Sequence, residues 1–440
     1  MKSIGMVFGL YISNKIGSEA VGVYSLVMSI YLFAVTLATS GLSLACTYIV
    51  SEQFAKENFY DGLKAVKSCF IFSLIIGLGS SIFILLFSNV ISVNWLKSTV
   101  SPLPFYLISI GLPFIAISSV INGYFSAVRK AYKSAISQVF ELFVKIIITI
   151  LLLNYYPNKN VEGICICLIL ADVISEVCSC FLLFILYKID KLKYCTRIIK
   201  QITFKKKILK ITLPVCITSY IRSGLSTLKQ FIIPNRLVLF GLPYTIALSE
   251  YGKINGMTMS IILFPNVFIT SFSTLLIPEF ASLLTKQYKK RILEICKKVF
   301  FTTSIFSICI SILFFVFSNE ISLMVFQNIE CGKYIKMLSP LILFIYPDNI
   351  LDSMLKGLNK QFNVMICNVL DLILTICVLY FLLPAYGISG YLLAIMISEI
   401  FNFCISYFQL YKASGFKMSM WMVSCYLFAI FACIYQLINF

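Results

Sequence analysis

Residues 18–33 read SEAVGVYSLVMSIYLF, and residues 249–264 read SEYGKINGMTMSIILF. The Ser-Glu pair, the Met-Ser-Ile triplet and the closing Leu-Phe return together at an offset of 231 residues. Upstream, Ile12-Ser13-Asn14-Lys15-Ile16 is matched by Ile233-Pro234-Asn235-Arg236-Leu237. Downstream, Lys130 with Val139-Phe140-Glu141-Leu142 is matched by Lys360 with Val369-Leu370-Asp371-Leu372. Ala171-Asp172-Val173-Ile174-Ser175-Glu176 is matched by Ala394-Ile395-Met396-Ile397-Ser398-Glu399. The matches keep one order and the offsets drift only where loops change length. Ordered polar matches of this kind indicate an internal duplication rather than the chance likeness of apolar helices.

The repeat lies in a strongly apolar chain. Of 440 residues, 60% are hydrophobic and 12% charged, with a mean hydropathy of +0.95. A soluble domain carries roughly 25% charged residues, about twice as many. Apolar runs recur from end to end, and a bilayer-crossing helix needs about 20 such residues. Helices are expected at 3–13, 22–50, 68–90, 103–125, 134–153, 161–187, 211–233, 254–277, 299–317, 338–355, 364–383, 387–410 and 419–438, with 188–210 and 234–253 the longest connections. The fold class is an all-α polytopic membrane protein with no separate soluble domain.

Charge orients these helices. The net +18 sits in short loops between apolar runs, which is the positive-inside pattern and not a nucleic-acid surface. One side collects 26 Lys and Arg and the other seven, which places the loop 188–210 and the N-terminus on the cytoplasmic side of the cell membrane. That loop reads as an orientation signal or as a contact for anionic headgroups. Histidine is absent, so His-based catalysis, metal binding and pH switching are excluded. The sixteen cysteines fall mostly inside apolar runs (Cys165, Cys167, Cys178, Cys180, Cys309, Cys377, Cys404) and read as small buried hydrophobes. No cofactor or metal site is expected, and no cleavable leader.

Six helices per repeat give both copies the same topology, so the copies are expected to be related by an axis along the membrane normal. The lobes are 1–187 and 211–410, joined by the basic linker 188–210 and followed by one extra helix within 411–440. Two like lobes across a cleft is the geometry of alternating access. The repeat aligns Arg222 with the first residue, so the first helix is expected to lack about its cytoplasmic half.

Ionisable groups within spans are costly and face a cavity or one another. Glu141 and Lys145 stand at i,i+4 and can pair. Asp172/Glu176 and Asp348/Asp352 are acidic i,i+4 pairs that need partners or protons. Glu176 with Glu399, and Glu141 with Asp371, occupy matching repeat positions, which suits either ties within each lobe or proton coupling. Arg222 and Lys229 are seven residues apart, hence on one face of helix seven, with no acid in that span.

The stretches GSEAVGVYSLVMSIYLFAVTLATSGLSLACTYIVSE (17–52), INGYFSAVRKAYKSAISQVFELFVKI (121–146), LIPEFASLL (276–284) and LKGLNKQFNV (355–364) resemble the polysaccharide-exporter branch of the multidrug/oligosaccharidyl-lipid/polysaccharide (MOP) superfamily. The resemblance spans essentially the whole chain and extends to sporulation proteins and to relatives of lipid II flippases. It implies a V-shaped bundle of two six-helix lobes that moves a polyprenyl-diphosphate-linked glycan across the cytoplasmic membrane for cell-wall or spore-cortex synthesis. The chain departs from the family in its short first helix and in one helix after the second lobe, where relatives often have two.

In that family helix seven lines the central cleft, so the resemblance puts Arg222 and Lys229 where a diphosphate would lie. Snorkelling, or a cross-helix pair with Glu399 or Asp352, is the other reading of the two cations. Lys15 and Arg236, at the outer ends of helices one and seven, would receive the headgroup or simply anchor the interface. The expected partners are membrane lipid, the lipid-linked glycan and cell-wall synthases, and the expected state is a monomer. Two alternatives share the fold: an ion-coupled exporter of small cationic or amphipathic compounds, and a non-transporting scaffold. An integral-membrane transferase is disfavoured by the lack of histidine, of any D-x-D and of a sizeable extracytoplasmic loop. No G-x-x-x-x-G-K-[ST] nucleotide loop occurs either. The chain reads as a non-enzyme.

Overall fold

The computed structural model describes residues 2–156, 160–192 and 205–438. Every element in it is helical. The first residue and most of the basic linker (193–204) lie outside the described residues, so the expectations placed on them do not enter here.

In chain order the helices are α1 (Lys2–Ile16), α2 (Ser18–Thr39), α3 (Leu42–Ala55), α4 (Phe59–Val90), α5 (Leu103–Ala127), α6 (Ala131–Tyr155), α7 (Val161–Lys191) and α8 (Lys205–Leu239). They continue with α9 (Tyr244–Tyr251), α10 (Met259–Leu263), α11 (Asn266–Thr285), α12 (Lys289–Val316), α13 (Ser318–Phe326), α14 (Ile329–Leu338), α15 (Ile342–Gly357), α16 (Gln361–Ser414) and α17 (Met420–Ile438). Eight helical stretches among the described residues are long and apolar enough to cross a membrane. The longest, α16, bends at Gly387 (φ 56°, ψ −128°), a conformation glycine adopts without a Cβ clash. It therefore supplies two consecutive helices, as the separate segments 364–383 and 387–410 anticipate.

Several boundaries differ from the sequence reading. The run 22–50 is two helices, because Gly41 turns left-handed (φ 71°) at a place where a Cβ would press on Thr212. The region 234–253, expected as a long connection, is largely helical: α8 runs on to Leu239 and α9 starts at Tyr244. A π-helical segment at Gly252–Thr258 interrupts what looked like one span from 254 to 277. Cys309, Cys377 and Cys404 are exposed, on surfaces where a small apolar side chain meets lipid as readily as core.

The chain divides into two compact units, Leu26–Thr227 and Lys2–Ser25 with Leu228–Phe440. These divisions differ from the lobes 1–187 and 211–410. The first two-thirds of α8 packs along α2 and α3, where Cys216 Sγ donates to the Ser40 carbonyl at 3.1 Å, Tyr220 Oη to the Leu37 carbonyl at 3.0 Å and Thr227 Oγ1 to the Ser29 carbonyl at 3.2 Å. In the second unit the start of α2 crosses α9. There Ser18 and Ser249, equivalent in the repeat, share a hydrogen bond of 2.7 Å, and a Cβ on Gly22 would overlap the Leu248 carbonyl.

Each unit has the same internal neighbours. In the first, α3 packs on α4 and α5, α4 on α5, and α5 on α7; in the second, α11 packs on α12 and α15, α12 on α15, and α15 on α16. A repeated hydrogen bond marks the correspondence. Ser81 Oγ donates to the Ser109 carbonyl at 2.7 Å across 28 residues, and Ser311 Oγ to the Ser339 carbonyl at 2.9 Å across the same 28.

Candidate functional site

The intramembrane charges gather inside each unit. In the first, Lys145 on α6 forms an ion pair with Asp172 on α7. Glu141, one turn before Lys145, hydrogen-bonds Ser179 and Glu176. The i,i+4 neighbour thus loses Lys145 to the carboxylate across the helix interface, whose side chain is 6% exposed. A buried unpaired carboxylate is the costlier omission. The Asp172/Glu176 repulsion is relieved because the two acids take different partners. Tyr31 stands in electrostatic reach of all three acids.

The second unit holds the counterpart. Asp371 accepts Ser398 Oγ at 2.6 Å, and Ser398 in turn accepts Thr375 Oγ1 at 2.9 Å. Asp348 accepts Asn402 Nδ2 at 2.8 Å, and Asp352 takes the weaker donation of Ser406 at 3.4 Å with Lys356 at 3.7 Å. Hydroxyls and an amide on the second half of α16 therefore separate the acids of α15 and of α16's first half. Lys229 brings positive charge to Glu399 and Asp371, so this cation has acidic neighbours from other helices, Glu399 among them.

The remaining expected contacts are dispersed. Arg222 is exposed. The Arg236 guanidinium lies over the Tyr380 ring at 3.4 Å, a stacked cation–π arrangement that occupies the group in holding α8 to α16. Lys15 is exposed, 5.9 Å from the Tyr11 ring centroid.

A cavity of about 1050 Å³ lies along α3, lined by Ser43, Leu44, Thr47, Tyr48, Ser51 and Glu52 with Gly41. The sequence reading passed over it. Its signal was present as Ser43, Thr47 and Ser51 at four-residue spacing, which puts three hydroxyls on one helical face of an otherwise apolar run. Thr47 Oγ1 donates to the Gly123 carbonyl at 3.0 Å and Lys56 pairs with Glu52 at 2.9 Å. Hydroxyls, a phenol and a carboxylate along one wall suit a ligand rich in hydroxyl groups.

Two polar hubs were also missed. Asp190, fully buried, is held by Lys130, Lys133 and Tyr124 at 2.7–3.0 Å. Lys253, nearly buried, donates to Glu250 at 2.9 Å and to Glu330, while Tyr334 Oη donates to Glu250 at 2.5 Å. The Lys253 hydrogen bond holds the Glu330 carboxyl below its ordinary range. A depressed carboxylate contributes stability that is complete above its unfolded pKa and is lost as pH falls through the folded value. Glu330→Gln is therefore expected to lower the unfolding temperature modestly at neutral pH and to match the parent chain once pH drops below the depressed value. A constant difference across a pH series of thermal melts would refute this.

These observations define a class: an all-helical, multi-pass membrane protein built on a duplicated helical unit. The chain belongs to the polysaccharide biosynthesis protein family, which matches residues 1–284. It is 26% identical over 407 residues to stage V sporulation protein B of Bacillus subtilis (strain 168), covering 90% of this chain and 78% of that protein. Its fold is that of MOP-superfamily transporters. An inward-facing multidrug resistance MATE family transporter of that superfamily superposes with a TM-score of 0.71 at 13% identity, covering 94% of this chain and 96% of that one. Lipid II flippase MurJ, inward closed, gives 0.68 at 15% identity over 98% and 95%.

Proposed function

We propose that the protein is a flippase for a polyprenyl-diphosphate-linked glycan, acting in the cytoplasmic membrane with its N-terminus inside and serving cell-wall or spore-cortex synthesis. Membership of the polysaccharide biosynthesis family carries the reading, and the hydroxyl-lined cavity on α3 supports it. Thr47 and Ser51 donate their own protons to the Gly123 and Ala127 carbonyls, so their oxygens and Glu52 offer sugar hydroxyls acceptors, and the exposed Tyr48 ring offers a face. Arg222 and Lys229 are the cations assigned to the diphosphate, Arg as a fork and Lys as a point charge. Lys15 and Arg236 are assigned to the far side, Arg236 while stacked on Tyr380. The chain works as a monomer without a cofactor and passes its cargo to cell-wall synthases.

The membrane potential can drive the step. Moving a dianionic headgroup outward, down the gradient of an inside-negative 100 mV potential, gains about 4–5 kcal/mol, at about 2.3 per charge. The ion-coupled exporter of cationic compounds retains one supporting observation: Lys229 lies near two acids, Asp371 and Glu399, so acid outnumbers cation within that cluster.

Proteoliposomes holding a fluorescent undecaprenyl-diphosphate disaccharide-peptide separate the two readings. Potential-dependent appearance of the label on the outer face is the expected result. Silence from folded protein that instead moves a cationic dye would transfer the assignment to the exporter.

A further inference from the structure

The helix that follows the second repeat leaves a space at its side. One face of α17, with Met422, Tyr426, Ala429 and Cys433 at helical spacing, is buried. Tyr426 is the anchor: its ring stacks on Phe403 at 4.8 Å and its hydroxyl meets Ser304 at 3.1 Å. The adjoining face does not close on α12. Between them runs a trough of about 1220 Å³, walled by Ile312 and Phe315 of α12 and by Phe428 and Phe431 of α17. Its volume exceeds the roughly 300–1,000 Å³ typical of small-ligand pockets.

One end of the trough is basic. Lys333 and Lys336 both line it, and at i,i+3 on α14 they share one face. Among the described residues the lining contains no acid. Glu330, one turn away on α14, is held by Lys253 and also lies in electrostatic reach of Lys333. The Lys336 ammonium lies 5.2 Å from the Phe315 ring centroid, at the junction of the charged mouth and the apolar walls.

We propose that this trough binds an anionic diacyl phospholipid, its acyl chains between α12 and α17 and its phosphate on Lys333 and Lys336. Charge complementarity selects an anionic head, because each lysine near a membrane surface favours anionic over zwitterionic lipid. Mass action selects the diacyl lipid, the abundant phosphate-bearing component of the bilayer on which the trough opens. The bound lipid completes the packing between α12 and the terminal helix beyond the Ser304–Tyr426 contact.

Native mass spectrometry of the full chain with phosphatidylglycerol, phosphatidylcholine or a polyprenyl monophosphate tests this. Phosphatidylglycerol is expected to be retained over phosphatidylcholine. That preference is expected to fall about five-fold in Lys333→Gln or Lys336→Gln and roughly 30-fold in the double variant. Ala432→Trp, which fills the trough wall and leaves the lysines in place, should reduce retention of both phospholipids. Equal retention of the two phospholipids by the parent chain, or an unchanged preference in the exposed-lysine double variant, would overturn the site. Preferential retention of the polyprenyl phosphate would overturn the diacyl assignment.

Discussion

Lys229→Ala is expected to slow translocation of a polyprenyl-diphosphate saccharide by roughly ten- to a hundred-fold. That is the span of one lost charge-assisted hydrogen bond. Arg222→Ala should have a comparable effect. The two variants differ in what else they disturb. Arg222 is exposed, so its loss should leave folding untouched and act on transport alone. Lys229 also supplies positive charge to Glu399 and Asp371, so its removal leaves acids within the span less compensated. Lys229→Ala/Glu399→Gln tests this: it removes one cation and one acid together, and should recover folded yield without recovering transport. Full translocation by both single variants in proteoliposomes would exclude the assignment of a diphosphate to these residues. Recovery of transport by the double variant would make Lys229 a partner of Glu399 and nothing more.

The fold was legible because both signals that specify it are local in sequence. Apolar runs of span length mark helices wherever they occur, and the ordered return of Ser18-Glu19 at Ser249-Glu250 marks the duplication. Helix breaks were less visible. Gly41 reads like any glycine in a span until Thr212, far away in the chain, comes against it. Partner choice was least visible. Sequence spacing offers Lys145 its neighbour Glu141, but an α6–α7 contact places Asp172 within reach, and the more buried acid takes the lysine. For the same reason the α3 cavity escaped notice. Four-residue hydroxyl spacing also occurs where a serine merely bonds its own helix, as Ser307 does to the carbonyl of Thr303, so only the space beside α3 distinguishes it.

The Lys145–Asp172 pair yields a large expected stability effect, and the effect is asymmetric. Asp172 is nearly buried, its side chain 6% exposed, whereas Lys145 is 31% exposed. Lys145→Met leaves a carboxylate without its cation beside Glu141 and Glu176, and an uncompensated buried charge costs about 3–5 kcal/mol. Asp172→Asn keeps the size and a hydrogen-bonding oxygen, and it leaves a lysine whose long stem can carry the ammonium toward polar surroundings. Its cost should be about 1–2 kcal/mol, the order of one weakened hydrogen bond to a charge. Lys145→Met/Asp172→Asn should then regain at least half of the loss in Lys145→Met, since the charge that made that variant unstable is gone. Thermal unfolding of the four proteins in one detergent completes the cycle. Equal costs for the two single variants, or additive costs in the double, would mean that the ion pair is not what holds α6 against α7. The contact would then rest on Ser137 and Ser179, whose hydroxyls meet at 2.8 Å in the same interface.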